Sequence, residues 1–360
     1  MDNLVLSNLF YRKTRTFTTA AGVALGVVLV VLTVGLVHGF LNEQGRRNSA
    51  VTAEIIFRDP SGGILSVSPT LAIPQKTIDQ IRTIEGVSEV VGVGQYQKSG
   101  RVIDGIDFDS YTKVSGMRVI EGRAVQSGDE AMIDPVSQRD RKVKVGDSIE
   151  ILDRQFRVVG IYEPESLGRI KIPLSTLQAY MNRPNLCSLV LIKVSDSAKQ
   201  GEVAQRIKER FPDNSDIRLT RDLPILYARG TPAMQTFLRV VIALAVIISS
   251  LVILLAMYTT VTERTRQIGI LKSLGASKAW IAGEIEKEAF FISLIGVLAG
   301  FVLAFLGRYF INRLSTVTIE LEAIWFFYTL ALGIISGLLG ALYPALRAAN
   351  QDPVKALSYE

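Results

Sequence analysis

Residues 262–276 read T-E-R-T-R-Q-I-G-I-L-K-S-L-G-A, a short charged stretch set between two runs, 240–262 and 289–307, that contain no Asp, Glu, Lys or Arg. Each run reaches the roughly 20 residues that an α-helix rising ~1.5 Å per residue needs to cross ~30 Å of hydrocarbon. Two further runs of the same kind lie at 16–42 and 323–346. A backbone in lipid must satisfy its own hydrogen bonds, so all of these runs are expected to be helices. The fold follows: a membrane α-helical protein with four transmembrane helices and a large α/β extracytoplasmic domain of two subdomains inserted between helices 1 and 2. The charged stretch becomes a handle outside the membrane for a partner in the cytosol.

Composition agrees with this reading. The chain of 360 residues is 48% hydrophobic and 21% charged, with a mean hydropathy of +0.30. Its charges must therefore crowd outside the bilayer. The net charge of +6 arises from basic residues beside the apolar runs, without the aromatic interleaving of a nucleotide-binding face, so no nucleic acid is expected as a partner. Arg12, Lys13 and Arg15 precede the first run, and Arg264, Arg266, Lys272, Lys278 and Lys287 lie between the second and third. By the positive-inside rule both termini and the 263–288 segment are cytoplasmic, and the chain between runs one and two is outside. The implied layout is an amphipathic helix at 1–15, spans at 16–42, 239–262, 289–307 and 323–346, the outer domain at 43–238, a coupling segment at 263–288, an outer loop at 308–322 and a tail at 347–360. The first run is longer than the ~7–15 residues of a signal-peptide core and reads as a retained anchor.

The outer segment is expected to be mixed α/β. Stretches rich in Val, Ile and Phe at 53–58, 87–93, 102–106, 148–152, 156–161 and 188–194 read as strands, and 74–84, 173–181 and 197–211 as helices. In the last, Val203, Ile207 and Phe211 form one apolar face. K-V-G-D-S-I at 144–149 and R-V-V-G-I at 157–161 suggest a compact β unit turned by Gly146 and Asp147. A single cysteine, Cys187, rules out a disulfide within the chain, so the domain must stand on its own core.

The sequence carries no recognisable catalytic set. The one histidine, His38, lies in the first apolar run and reads as a packing residue, which excludes histidine triads and HExxH zinc sites. Asp104, Asp107 and Asp109 in D-G-I-D-F-D lack the spacing and downstream Glu of a calcium loop and read as a solvated turn. G-V-G-Q-Y-Q-K-S at 92–99 is a near miss to a phosphate-binding loop, with Gln97 where the second glycine belongs. No cofactor is expected on this chain. Gly22/Gly26, Gly35/Gly39, Gly296/Gly300 and Gly333/Gly337 each match G-x-x-x-G, which fits either helix packing within the chain or a dimer seam.

In the 262–288 stretch, Ile268, Leu271 and Leu274 make an apolar stripe, Gly275 suits a helix end, and Ser277 can cap the next helix. An interfacial helix and a docking helix fit these residues equally. Thr262, Glu263, Arg264, Arg266, Ile268, Gly269, Ile270, Leu271, Lys272, Leu274, Gly275 and Ala276, at this spacing, resemble the signature of the FtsX/MacB-like permeases of ABC transporters. The end of the chain, G-A-L-Y-P-A-L-R-A-A-N-Q-D-P-V-K-A-L at 340–357, resembles that family's closing pattern, carried here by Pro344, Arg347, Asp352, Pro353 and Leu357. N-L-F-Y-R-K-T-R at 8–15 is similar to its N-terminal amphipathic helix.

The resemblance implies a permease of the bacterial cytoplasmic membrane, not itself an enzyme. It would pair with a second copy or paralogue and with a cytosolic ABC ATPase in a pair of copies, which alone uses ATP and Mg. Few residues precede the first run, so no fused ATPase domain is expected. Glu263, Arg264, Arg266, Ile268, Gly269, Leu271, Lys272, Leu274, Gly275 and Ala276 would couple the ATPase to the outer domain, through a stiff helix running from the second run into the 263–276 segment. The implied work is export or extraction of an envelope substrate, with a periplasmic adaptor and an outer-membrane channel as further partners. The alternative is a mechanotransmitter that regulates a cell-wall hydrolase or a sensor.

Overall fold

The structure is a computed structural model that describes residues 13–60, 70–98, 101–212, 216–230, 232–314 and 318–353. Most of the amphipathic stretch at 8–15 and the chain end that includes Leu357 lie outside the described residues. The chain divides into two compact units, one formed by Met1–Phe40 with Pro232–Glu360 and the other by Leu41–Thr231.

In chain order the helices are α1 Lys13–Ser49, α2 Gln75–Arg82, α3 Phe108–Ser115, α4 Pro135–Arg141, α5 Leu174–Tyr180, α6 Gln200–Arg210, α7 Leu223–Arg229, α8 Pro232–Glu263, α9 Thr265–Ser273, α10 Lys278–Leu314 and α11 Ala323–Ala349. The strands are β1 Ile55–Arg58, β2 Ile73–Pro74, β3 Val87–Lys98, β4 Arg101–Ile106, β5 Arg118–Gly122, β6 Glu130–Ile133, β7 Ser148–Ile151, β8 Arg154–Glu163, β9 Ile170–Pro173, β10 Leu186–Cys187, β11 Leu189–Val194 and β12 Asp216–Leu219.

The first unit is a helical bundle. Four of its helices, α1, α8, α10 and α11, are long and apolar enough to span a bilayer. They share one core: Ala20, Val23, Val27 and Val31 of α1 meet Ile253 and Met257 of α8, Ala289, Ile292, Val297 and Ala304 of α10, and Ala341 of α11. Lipid is as apolar as these side chains, so close packing rather than water exclusion must hold the helices together. The glycine pairs supply that closeness within the chain. A Cβ on Gly300 would lie 2.6 Å from the Val27 Cβ, on Gly26 2.4 Å from the Ser249 Oγ, and on Gly333 2.4 Å from a Val297 methyl. The tightest backbone approach is at Gly39, where a Cβ would sit 1.9 Å from the Thr318 carbonyl oxygen, next to a Glu320 N–H that donates to the Gly35 carbonyl at 3.1 Å. All four G-x-x-x-G pairs are thus used in packing inside one chain.

The second unit is an α/β domain whose main sheet is ordered β12-β1-β11-β3-β4-β9-β6-β8-β5 with β7 on β8, beside a two-stranded sheet of β10 and β2. β4–β9 and β6–β8 are parallel; the other pairs of this sheet are antiparallel. Strand β3 joins the two halves. Its residues 87–93 pair with β11, and 94–98 pair with β4. The half beyond β4 is built from residues 101–173, inserted in sequence between the parts of the other half, so the two subdomains share a strand. Period-two alternation sets their cores. Ile55 and Phe57 face Ile78, Ile81, Val203 and Ile207 of α2 and α6, whereas Ile56 between them faces Tyr111, Tyr162 and Leu223. The inserted half buries Ile133, Phe156, Val158, Ile170 and Ile172. In β7–β8, Gly146 has φ +103, its N–H donates to the Val158 carbonyl at 2.8 Å, and the Asp147 carboxylate accepts from the Lys144 N–H at 2.7 Å, so the K-V-G-D stretch turns the chain as its residues predict.

One expectation is overturned inside this domain. Asp104 does not sit in a solvated turn; it is fully buried in β4 and paired with the equally buried Lys171 of β9 at 2.6 Å. Gln95 Nε2 donates to its Oδ1 at 2.9 Å, the Gly168 N–H donates to its Oδ2 at 2.9 Å, and Lys171 also donates to the Ser166 carbonyl at 2.8 Å. The physical reason is register: parallel pairing of β4 with β9 sets Asp104 opposite Lys171. Asp107 and Asp109 are exposed, and Asp107 caps α3 by accepting from the Ser110 N–H at 3.0 Å.

At the start of this unit, the end of α1 is tied into the domain. Arg47, buried, donates to the Leu167 carbonyl at 2.9 Å, and Arg169 bonds Glu43 at 2.8 Å, Asp134 at 2.5 Å and Glu165 at 3.0 Å.

Candidate coupling site

The 262–276 segment is built from two breaks in the helix. The first is at Arg264, whose φ of −106° and ψ of 14° leave the helical region between α8 and α9. The expected stiff helix from the second run into the 263–276 segment is therefore corrected: α8 stops at Glu263. The reason is local. Thr262 and Thr265 turn their hydroxyls back onto helix carbonyls, Thr265 Oγ1 onto those of Val261 at 3.1 Å and Thr262 at 2.9 Å, a competition that bends helices.

The second break is at Gly275. With φ +95° it takes the left-handed conformation, its N–H donates to the Lys272 carbonyl at 3.0 Å, and the Ala276 N–H donates to the Leu271 carbonyl at 3.0 Å. This is the glycine-dependent close of a helix. Nothing lies within 4 Å of a Cβ placed there, so backbone conformation and not space demands the glycine. Ser277 then caps α10 by accepting from the Trp280 N–H at 3.2 Å. From Lys278 the chain runs as one helix to Leu314, which makes α10 the continuous element of this region.

Burial splits the expected apolar stripe. Ile268 and Gly269 are buried, and Ile268 packs with Val261, Ile281 and Ala348. Ile270, Leu271 and Leu274 are instead exposed, Leu274 at 81%. A helix of nine residues thus uses one face to sit on its own bundle and presents a second apolar face outward.

The charges split in the same way. Glu288, buried in α10, accepts from Arg15 of α1 at 3.2 Å and pairs with Arg264 at 3.5 Å, while Arg15 lies 3.8 Å from Glu263. Lys272 donates to the carbonyls of Ala349 at 2.9 Å and Gln351, at the end of α11, and Lys278 to the Asn350 side chain at 3.1 Å. Arg266 is exposed and makes no hydrogen bond or ion pair among the described residues. Glu263 and Ala276 lie on either side of α9, Glu263 exposed and Ala276 half-buried.

The closing motif lies beside this site. Pro344, buried within α11, cannot donate to the Gly340 carbonyl, and Gly340 sits where a Cβ would be 2.3 Å from the Ser250 carbonyl of α8. The Arg347 guanidinium stacks 4.6 Å over the Tyr258 ring and donates to its hydroxyl, and Tyr258 and Tyr343 stack at 6.5 Å. Asp352 and Pro353 follow α11, and Leu357 lies outside the described residues.

Of the other candidates, residues 92–98 of the near-miss phosphate loop are extended in β3, a geometry that cannot wrap a phosphate, and Lys98 pairs with Asp153. His38 hydrogen-bonds the Val34 carbonyl at 2.9 Å and lies 5.7 Å from the Trp325 ring. Cys187 is buried, which pushes its thiol up to about 12.

Two family profiles match the chain: the MacB-like periplasmic core domain over residues 16–210 and the FtsX-like permease C-terminal domain over 239–353. The chain belongs to the FtsX/MacB-like ABC transporter permeases. It is 23% identical to the ABC transporter permease YknZ of Bacillus subtilis over 99% of this chain and 98% of that one. It is 26% identical to the pyoverdine export ATP-binding/permease protein PvdT of Pseudomonas putida and 25% identical to the macrolide export ATP-binding/permease protein MacB of Campylobacter jejuni, and spans 58% and 61% of their lengths. The α/β domain between the first two membrane helices is the extracytoplasmic domain of this family.

Arg15 and Glu288, which meet at this segment, were not paired by the sequence reading. Their signal was present as single charges abutting apolar runs, but only the fold brings them together across 273 residues.

Proposed function

We propose that this permease couples a separate cytosolic ABC ATPase to movement of its extracytoplasmic domain, for export or extraction of a substrate from the bacterial envelope. The observation that carries the reading is α9, a short helix at the end of a membrane-spanning helix, seated by Ile268 and turning Arg266, Ile270, Leu271 and Leu274 outward. An exposed apolar ridge beside an exposed guanidinium is what an ATPase groove can grip, with the apolar residues as anchors and the arginine available for a carboxylate or backbone carbonyls. PvdT and MacB are named as ATP-binding and permease protein in one chain, and YknZ as permease alone. Those names support an ATPase supplied to this permease as its own subunit, and the proposal gives it a pair of copies, with ATP and Mg bound there.

The positive-inside flanks support a cytoplasmic location for α9 and both termini, in the bacterial inner membrane. The test is purification of the native complex from membranes in mild detergent with identification of every co-purifying chain. An ABC ATPase in stoichiometric amount is expected. Absence of any ATPase, with the permease intact, would contradict the proposal.

A further inference from the structure

Not all of the basic residues in the 262–276 segment face the same way. Arg264 and Lys272, eight positions apart, both turn back onto the bundle, one at each end of α9. Arg264 stands at the break that begins the helix and reaches Glu288 at 3.5 Å; that carboxylate, almost fully buried, also takes Arg15 at 3.2 Å. Lys272 stands in the last turn and reaches the Ala349 carbonyl, the last of α11, at 2.9 Å, and the carbonyl of Gln351 two residues beyond the helix. The Ala349 carbonyl belongs to the negative end of a long helix, where a lysine is favoured both as donor and as charge. Between the two ends, Ile268 plugs into Val261, Ile281 and Ala348.

We infer that Arg264–Glu288 and Lys272 with the α11 terminus form a two-point clamp that fixes α9 to α1, α10 and α11, and that Glu288 and Lys272 are positioning residues for coupling and not docking contacts. A nine-residue helix between two breaks is weakly braced against α8, because the Arg264 junction, though bridged by the Arg264 N–H to Thr260 carbonyl and Ile268 N–H to Arg264 carbonyl bonds at 3.1 and 2.9 Å, interrupts the helix. A push on its outer face would be lost in bending at Arg264 and Gly275 unless the helix were held at both ends. The clamp supplies that hold, and it carries the push into the bundle through Glu288 of α10 and Arg15 of α1. The assignment of the outer face to an ATPase rests on the proposed function; the clamp itself does not.

The experiment uses the full permease in detergent, first alone and then with its ATPase, comparing wild type with Lys272→Met, Lys272→Arg and Glu288→Gln. Alone, amide hydrogen exchange across residues 265–273 is expected to be about ten-fold faster in Lys272→Met and Glu288→Gln, the scale of losing a hydrogen bond to a charged group, and near wild type in Lys272→Arg. With the ATPase, both uncharged variants are expected to recruit it as wild type does and to lose about ten-fold of permease-stimulated ATP turnover, within the ~5–150-fold range of a coupling free energy. A purely structural part for Lys272 would not separate recruitment from stimulation. Wild-type exchange over 265–273 in both variants would overturn the clamp, as would loss of recruitment in Lys272→Met, which would make Lys272 a docking contact. Should Lys272→Met fail to insert, the exchange and the recruitment-to-stimulation split of Glu288→Gln decide. Failure of the wild-type permease to recruit any ATPase overturns the proposed function instead, and the exchange result still judges the clamp.

Discussion

Lys171 and Asp104 show how far a single residue's environment can depart from what its neighbours in sequence suggest. Both are fully buried, 67 positions apart, and every polar atom near them is used. Removing one partner leaves an uncompensated charge in the core, so Asp104→Asn is expected to cost about 3–5 kcal/mol, whereas the double replacement Lys171→Met with Asp104→Leu should recover most of that loss. Denaturant midpoints of the purified permease, followed by the fluorescence of the extracytoplasmic domain's tyrosines, check both values; equal losses in single and double variants would contradict the pairing. Burial opposes the Lys171 charge, but Asp104 outweighs it and holds the lysine above its ordinary value. A raised lysine stabilises the fold at every pH below its unfolded value of about 10.4, and that contribution fades only as pH rises through the folded value. No stability change from Lys171 is therefore expected between about pH 6 and 9. Nothing in D-G-I-D-F-D reveals any of this, because the partner is reached through a parallel strand pairing that local pattern cannot encode.

At the scale of elements, legibility followed length. The membrane helices were evident as apolar runs, although α1 and α8 extend beyond them to Ser49 and from Pro232, where charged turns conceal the helix from a hydropathy reading. Strands β1, β3, β4, β7, β8 and β11 carried Val, Ile and Phe at strand spacing and were read near their places. β5, β6 and β12 were not. Each is only four or five residues long, and β5 and β12 are largely unburied, so their stability comes from pairing and not from their own apolar content. The caps at Gly275 and Ser277 were legible because backbone conformation alone demands them. The inward turn of Arg264 and Lys272 was not, since a docking helix and a clamped one share the same composition.

The glycine seams belong to this scale as well. Gly39→Ala would drive a methyl into the Thr318 carbonyl, and neither helix nor loop backbone can yield cheaply. It is expected to lower the thermal aggregation midpoint of the detergent-solubilised permease, by the ~1–3 kcal/mol typical of overpacking. Gly283→Ala, in α10 with nothing within 4 Å, should be neutral or raise stability by ~0.5–1 kcal/mol through helix propensity. Equal midpoints for the two variants would contradict the packing described for α1.

For the whole molecule, the proposed topology has α9 in the cytosol and the α/β domain outside, as the positive-inside rule expects from the basic flanks. In a Cys187→Ser background, Ser127→Cys in the domain and Ser273→Cys at the end of α9 are both exposed sites. An impermeant thiol reagent on intact cells is expected to label the first and spare the second; the reverse pattern would invert the topology.

The central claim is that α9 receives the work of a separate ATPase, and Arg266 tests it most directly because it is exposed and committed to no intramolecular partner among the described residues. The measurement is ATPase co-purification with permease-stimulated ATP turnover for Arg266→Glu, beside Lys199→Ala on the exposed surface of the extracytoplasmic domain. Reversing a charge at a contact should weaken recruitment by about ten-fold or more and take stimulation with it, while Lys199→Ala behaves as wild type. Wild-type recruitment and stimulation by Arg266→Glu would contradict the account and leave α9 an interfacial helix.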